Sequence, residues 1–481
     1  MIMMKRVSTL AALSAASACG GEGEGDLAGV NLAERPSTAI AADGRYISWR
    51  EHRIDDEELG GIELRGGDGL IMADLDRDGF LDIVSVHESD VTYDGVPDGH
   101  VRIAFGSADP DVWELVTLAE GEEAGAAEDV AAADADGDGD LDVVVAAELA
   151  HIIYFENPGS DVRKRRWPRV IPEVASNRGS FIRVFFADFD ADGRPEVVSP
   201  NKGAQDPTQA AQEPKEVSIF DLGTEPLSGN WEEHVLTRFP WPINAQPTDL
   251  DGDGDPDVVA GSVAQGRMLW FENVGRDFQF VEHGFDIVMA DGSESPNVIH
   301  GFNMDFVDLS NDGRPDILTW DSSRLIGINL LWLEQPAAPG GKWMRHTIGD
   351  LGPDAIVGFV AADIDGDGDD DVIAGGYSLG SRTEDGGRRP DASMGRLAWF
   401  ENPGGASDAW IRHDFSRRER GMFDKFVPRD MDGDGDVDFV TTRGNSGVYD
   451  GVIWLEQVRT AAPVAAFTPA RSVDSPEAAL P

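Results

Sequence analysis

The stretch Asp363-Ile-Asp-Gly-Asp-Gly-Asp-Asp-Asp371 is one of seven copies of an acidic nonapeptide, and their spacing sets the fold of this 481-residue chain. Each copy places acids at positions 1, 3, 5 and 9 and glycine at position 6, apart from Ser310 at position 3 of the fifth. The copies begin at Asp74, Asp134, Asp188, Asp249, Asp308, Asp363 and Asp430, so they recur every 54 to 67 residues. Carboxylates at that spacing fold around one hard cation, and glycine allows the sharp turn the loop requires. A single acidic turn is commonplace. Seven at a near-constant period are a structural repeat.

Every loop has the same neighbours. An apolar run precedes it, as at 181–189 and 356–364, and a β-branched run follows, as at 141–145, 258–260 and 372–374. A third segment reads Ile-Tyr-Phe-Glu-Asn at 153–157, Leu-Trp-Phe-Glu-Asn at 269–273 and Leu-Leu-Trp-Leu-Glu at 330–334. It returns as Ala-Trp-Phe-Glu-Asn at 398–402 and Ile-Trp-Leu-Glu-Gln at 453–457. A fourth carries an aromatic-x-x-His signature in Trp231–His234, Trp343–His346 and Trp410–His413. Short β-rich runs between glycine and proline turns, with no sustained helical period, predict strands.

Four strands per unit, repeated seven times, predict an all-β, seven-bladed propeller. The ends agree with this. Only six fourth strands lie between the seven loops, and the missing one stands at 47–54, where Trp49 and His52 repeat the signature. The N-terminal strand is therefore expected to complete the C-terminal blade and remove the exposed edges. An EF-hand or dockerin needs a helix after its loop, repeat-in-toxin helices recur every nine residues or so, and thrombospondin-type arrays are rich in cysteine. None of these fits.

The formal net charge is −51, and 27 of the 90 acids stand at the four ligand positions. Seven divalent ions would return +14 and leave about −37, which argues against nucleic acid or an anionic membrane surface as partner. Cys19 is the sole cysteine, so no intrachain disulfide forms. Lys5 and Arg6, the apolar run 7–18 and Ala-Ser-Ala-Cys19 read as a bacterial secretory signal over 1–18 ending in a lipobox. Cys19 is then lipidated, with residues 19–45 a flexible linker, 46–457 the propeller and 458–481 a disordered Ala/Pro-rich tail. The expectation is an exported, monomeric protein, held as an envelope or outer-membrane lipoprotein or secreted, that meets the membrane only through its N-terminal lipid.

These motifs resemble the FG-GAP/VCBS repeat proteins, whose relatives include the propellers of integrin α subunits, over about residues 46 to 457. The resemblance implies calcium, up to seven structural ions, held by side chains at positions 1, 3, 5 and 9 and by the carbonyl at position 7. Carried over, the first sites are Asp74, Asp76, Asp78, Phe80 and Asp82, then Asp134, Asp136, Asp138, Asp140 and Asp142. Next come Asp188, Asp190, Asp192, Arg194 and Glu196, then Asp249, Asp251, Asp253, Asp255 and Asp257. The fifth, Asp308, Ser310, Asp312, Arg314 and Asp316, has one charge fewer and is expected to bind more weakly. The last two are Asp363, Asp365, Asp367, Asp369 and Asp371, and Asp430, Asp432, Asp434, Asp436 and Asp438.

Saturated carboxylate cages suit scaffolding, so function is sought on the opposite face. Four long connections lie there, at 87–100, 201–216, 286–300 and 375–395, and long loops on rigid scaffolds carry binding. His87, Arg183, Lys202, Asn244, His300, Asn303, Lys425 and Arg443 are the candidate ligand-face residues, basic or polar in an acidic chain. The recurring His52, His234, His283, His346 and His413 fall once per blade on the outer strand and are expected to pack. Two functions follow: a surface binding or adhesion module for a protein or glycan, as the integrin resemblance implies, or a carbohydrate lyase or dehydratase. The second draws on similar propellers in rhamnogalacturonan lyases and aldos-2-ulose dehydratase, and its acid–base set would be His300 with Arg183 or Lys425.

Overall fold

The computed structural model describes residues 31–89, 96–164, 166–206, 209, 213–293, 295, 298–322, 326–338, 340–378, 392–404 and 409–480. The expected signal peptide, Cys19, the first part of the linker, parts of the four long connections and most of the 381–394 segment lie outside them. Among the described residues the strands form seven sheets. Blades 1 to 7 begin with the strands Gly67–Ala73, Ala127–Ala133, Phe185–Ala187, Pro242–Thr248, Asp305–Val307, Ala355–Ala362 and Phe426–Arg429. The first strands of blades 1 to 4 meet in order around the axis, as do those of blades 5 to 7, with Phe426–Arg429 returning to Gly67–Ala73. The chain is a seven-bladed β-propeller.

Closure is as the Trp-x-x-His count requires. The strand Tyr46–Asp56 pairs antiparallel with Gly451–Thr460, from Tyr46 opposite Thr460 to Asp56 opposite Gly451. Blades 5 and 7 each gain a fifth short strand. Ile287–Val288 runs parallel to Trp343–Asp350, and Phe467–Thr468 runs parallel to the closing strand.

Two expectations about the ends are corrected. Residues 31–45 are not a linker: Leu32, Ala33, Ala39 and Ala41 are buried, and Pro36 bridges to Ala465. The tail beyond 457 is not disordered either, because Ala466 and Phe467 are buried against Trp49 and Phe415. Composition misled here. Alanine and proline are poor in apolar area, but Phe467 supplies an anchor and the remainder is fastened by ion pairs, described below.

The core divides, among the described residues, into seven apolar clusters, one between each pair of adjacent blades. Strand periodicity explains this. Along Asp142–Ala147, Val143 and Val145 face blade 1 while Val144 and Ala146 face blade 3. Both faces of the second strand are thus covered, which is why those segments read as unbroken β-branched runs rather than alternations. Trp49 on the closing strand is 2 % exposed and lies 5.3 Å from Phe415 and 5.7 Å from Phe439, centroid to centroid. Trp49→Ala is expected to cost about 3–5 kcal/mol in chemical denaturation, the cavity cost of a buried aromatic.

Candidate functional site

All seven acidic loops join the first strand of a blade to its second, and so lie on one face of the ring. Their glycines at position 6 have φ between 88° and 98°, the left-handed region in which any other residue would be strained. Local Asx turns pre-form the loop. In the first, Asp74 accepts from Asp78 N and Gly79 N, each at 3.1 Å, and Asp78 accepts from Phe80 N at 2.9 Å. Oxygens of Asp188, Asp190, Asp192 and Glu196 lie within 4.8 Å of one another, as do those of Asp74, Asp76 and Asp82, of Asp134, Asp136 and Asp138, and of Asp249, Asp251 and Asp253.

The acid at position 9 is buried in every set, joined in the sixth by Asp365 at position 3. Asp82 is fully buried and accepts from Leu75 N at 2.8 Å and Gly106 N at 2.9 Å, tying its loop to the end of the third strand. Asp257, Asp371 and Asp438 repeat this with Asn273 N, Asn402 N and Gln457 N. Loss of water around these carboxyls is the main cause that pushes them up, to about 7 at Asp82 and about 8 at Glu196, Asp371 and Asp438, with neighbouring loop carboxylates adding to it. An all-oxygen, strongly anionic and partly dehydrated set is what a hard divalent cation would neutralise. The donor chemistry fits that ion.

The Glu-Asn and Glu-Gln pairs that end the third strands have a role that the repeat alone does not reveal. Asn157 Nδ2 donates to Leu75 O of blade 1, Asn273 Nδ2 to Phe189 O of blade 3, and Gln457 Nε2 to Ile364 O of blade 6, each at 2.9 Å. Those carbonyls stand at position 2 of the preceding blade's acidic loop, so the amides lace loops together around the ring. Asn273→Ala is expected to cost about 1–3 kcal/mol, the penalty for a buried carbonyl left without its donor, read by urea unfolding.

In blades 4 to 7 the glutamate beside the amide, Glu272, Glu334, Glu401 or Glu456, meets the recurrent histidine. His283 stacks on Trp270 at 4.6 Å with Nε2 2.6 Å from Glu272, and His346 stacks on Trp332 at 4.2 Å with Nε2 2.8 Å from Glu334. His413 and His52 repeat the arrangement on Trp399 and Trp454, while His234 stacks on Phe278. Packing, as expected, is their role.

On the opposite face the eight candidate residues separate. Four come together at the axis. Arg183 donates to Asn303 Oδ1 at 2.9 Å and Asp424 Oδ2 at 3.2 Å, with its guanidinium 5.2 Å from the Phe302 ring. Asn244 donates to Phe302 O at 3.0 Å, and these residues with Lys425 line a cavity of about 40 Å³. The other four do not present donors to solvent. His87 is buried beside Ser85, Lys202 pairs with Glu148, His300 lies against Ser322 and Trp320, and Arg443 forks onto Asp474. Buried acids hold these cations. Asp68, Asp129 and Asp424 line the axial cavity, and Glu88 and Glu128 lie beside Asp68.

A sequence signal for the axis exists. Asp129, Arg183, Asn244, Asn303 and Lys425 each stand five residues before the first aspartate of their own loop, as do Gly69 and Gly358. One register position per blade thus faces the axis. Burial among carboxylates pushes Glu128 up to about 8, with Glu88 adding to it and Lys202 and Arg183 opposing it.

This architecture and its loops define a class, a seven-bladed β-propeller that carries FG-GAP-like repeats. FG-GAP-like repeats match at residues 74–145, 249–319 and 308–374. A solved structure on recognition of non-reducing terminal N-acetylglucosamine by an Agrocybe aegerita lectin is similar, with 15 % identity, a TM-score of 0.48, and coverage of 86 % of this chain and 98 % of that one. YCF48 from Cyanidioschyzon merolae aligns with 10 % identity and a TM-score of 0.48, over 85 % of this chain and 98 % of that one. BBS1N in complex with ARL6DN aligns with 10 % identity and a TM-score of 0.44, over 85 % and 97 %. No curated protein matches the chain.

Proposed function

We propose that this propeller is an exported, monomeric, calcium-stabilised surface module that binds a protein or glycan through the face opposite its acidic loops. The observation that supports it is the difference between the two faces. One carries seven near-identical acidic loops, and on the other the axis-facing residue changes from blade to blade, from Asp129 to Arg183, Asn244, Asn303 and Lys425. Uniform loops suit a scaffold, whereas unequal connections and varied side chains suit recognition. Calcium fits loops built of several carboxylates and a carbonyl, since it accepts more oxygens and looser geometry than magnesium. Anchoring through Cys19 would place the module on the cell envelope.

The enzymatic reading needs His300 beside Arg183 or Lys425. His300 is instead buried against Trp320 and Ser322, and Arg183 is engaged by Asn303 and Asp424. Binding is therefore the function supported best. The mature chain in calcium should bind members of an immobilised panel of glycans and matrix proteins. That binding should survive Asp312→Asn in the weakest loop and be lost when the 201–216 connection is shortened. Turnover of pectic or unsaturated sugars, abolished by His300→Ala, would reverse the assignment.

A further inference from the structure

The docked C-terminal segment occupies a cleft whose chemistry is unlike the rest of this acidic chain. Arg417 and Arg418 end the strand Ile411–Arg418 of blade 6, and Arg443 ends the strand Asp438–Arg443 of blade 7. All three are almost wholly buried. Arg418 grips Glu51 with both terminal nitrogens, at 2.7 and 2.8 Å, and Arg417 grips Asp354 at 2.7 and 2.9 Å. Arg443 forks onto Asp474 of the tail at 2.8 and 2.5 Å, while Glu51 lies farther off, at 3.8 Å. Three residues on, Glu477 accepts from Ser416 Oγ at 2.5 Å and Arg417 N at 2.8 Å, with Arg418 3.5 Å away.

Main-chain pairing accompanies these charges. Glu477 bridges antiparallel to Arg418, Ala478 N donates to Arg417 O at 2.7 Å, and Glu419 N donates to Pro476 O at 2.9 Å. Arg420 N donates to Ser475 Oγ at 2.9 Å, and Arg417 Nη1 to Ala479 O at 2.9 Å. The segment thus lies as a short added strand at the end of a blade, read by backbone bonds and by two carboxylates three residues apart. That is the recognition mode of a peptide site on a sheet edge.

The hold on the tail differs from that on the core. Phe467 and Ala466 are buried, but Val473, the one bulky aliphatic side chain between Thr468 and Leu480, is 71 % exposed. Past Thr468 the contacts are polar, and Phe467 keeps the segment tethered beside its cleft. A tethered polar segment rebinds at an effective concentration near the millimolar range, yet it yields to a competitor making the same contacts.

We propose that the Arg417–Arg418–Arg443 cleft is a binding site for extended acidic peptides carrying two carboxylates three residues apart, and that residues 470–480 close it in cis. The site lies over blades 6 and 7 and does not depend on the partner of the axial face. The test uses the full mature chain and a fluorescent peptide of residues 469–480. The full-length double variant Asp474→Asn/Glu477→Gln, in which the cis segment has lost both charges, should bind the peptide about tenfold or more tighter than the unaltered chain, since charge-assisted bonds hold the cis segment and tethering favours it. Raised salt should weaken that binding, and a peptide carrying the same Asn and Gln replacements should not bind. Adding Arg443→Gln to the double variant should abolish it. Equal binding to altered and unaltered chains, binding of the neutralised peptide as tight as that of the acidic one, or no binding to a double variant that retains its native near-UV circular dichroism, would each overturn the proposal.

Discussion

Excess EDTA is expected to lower the unfolding midpoint of the chain by on the order of 20 °C, and millimolar calcium to restore it. The magnitude follows from linkage, since each site filled at about 100 times its Kd stabilises by about 2.7 kcal/mol. Seven sites, the fifth weakened by Ser310, sum to well over 10 kcal/mol, and in a chain this long each kcal/mol moves the midpoint by roughly 1–2 °C. The physical origin is visible in each loop. Acids crowd within 4.8 Å, and the one at position 9 is buried with its oxygens holding both the loop and the third strand. Without a cation their repulsion works against the hairpin they terminate. The amides of Asn157, Asn273 and Gln457 carry the disturbance to the adjacent blade, so the loops should melt together, not singly. Calorimetry with metal counting decides the matter. A midpoint indifferent to calcium, or one ion bound instead of about five to seven, would sink the scaffold reading.

Much of this architecture is legible in the residues because the repeat is dense in one-meaning signals. Glycine at position 6 marks a left-handed turn, the β-branched run after it a strand covered on both faces, and Trp-x-x-His the outer strand with its stacked ring. Even ring closure follows from counting, since Trp49 and His52 complete a blade whose other strands lie some 400 residues away. The ends and the face opposite the acidic loops are harder to read, for different reasons. Residues 31–45 and 461–480 hold few large apolar side chains, so composition cannot show that Phe467 inserts beside Phe415 or that Asp474 reaches Arg443. Arg443, Lys202 and His87 stand out in the sequence as polar residues in loops, yet each is buried. Their partners, Asp474, Glu148 and Ser85, come from the tail, another blade and the same strand, and no local pattern connects them.

Without metal, the chain should lose stability as pH rises from about 5 to 8; with saturating calcium it should hold or gain. The sign comes from the position-9 acids. In the folded chain burial raises Asp257 to about 6, Asp82, Asp142 and Asp316 to about 7, and Glu196, Asp371 and Asp438 to about 8. In the unfolded chain these groups titrate near 4. Between those limits the folded state binds more protons than the unfolded one, so the slope of stability against pH is negative, by up to about 1.4 kcal/mol per pH unit for each such group. His87, His100 and His151 act in the opposite sense, because burial lowers them and the unfolded chain takes up their protons below about pH 6.5. Three imidazoles against seven carboxyls leave the carboxyls dominant. Calcium binds the ionised carboxylates, so it releases those protons and its own affinity climbs through the same window. The two midpoint curves should therefore diverge as pH increases. Thermal midpoints at pH 5, 6.5 and 8, in EDTA and in calcium, test this directly. A metal-free chain that grew more stable toward pH 8 would show that these carboxyls are already ionised and compensated by protein groups, and would remove the electrostatic reason for a cation in the loops.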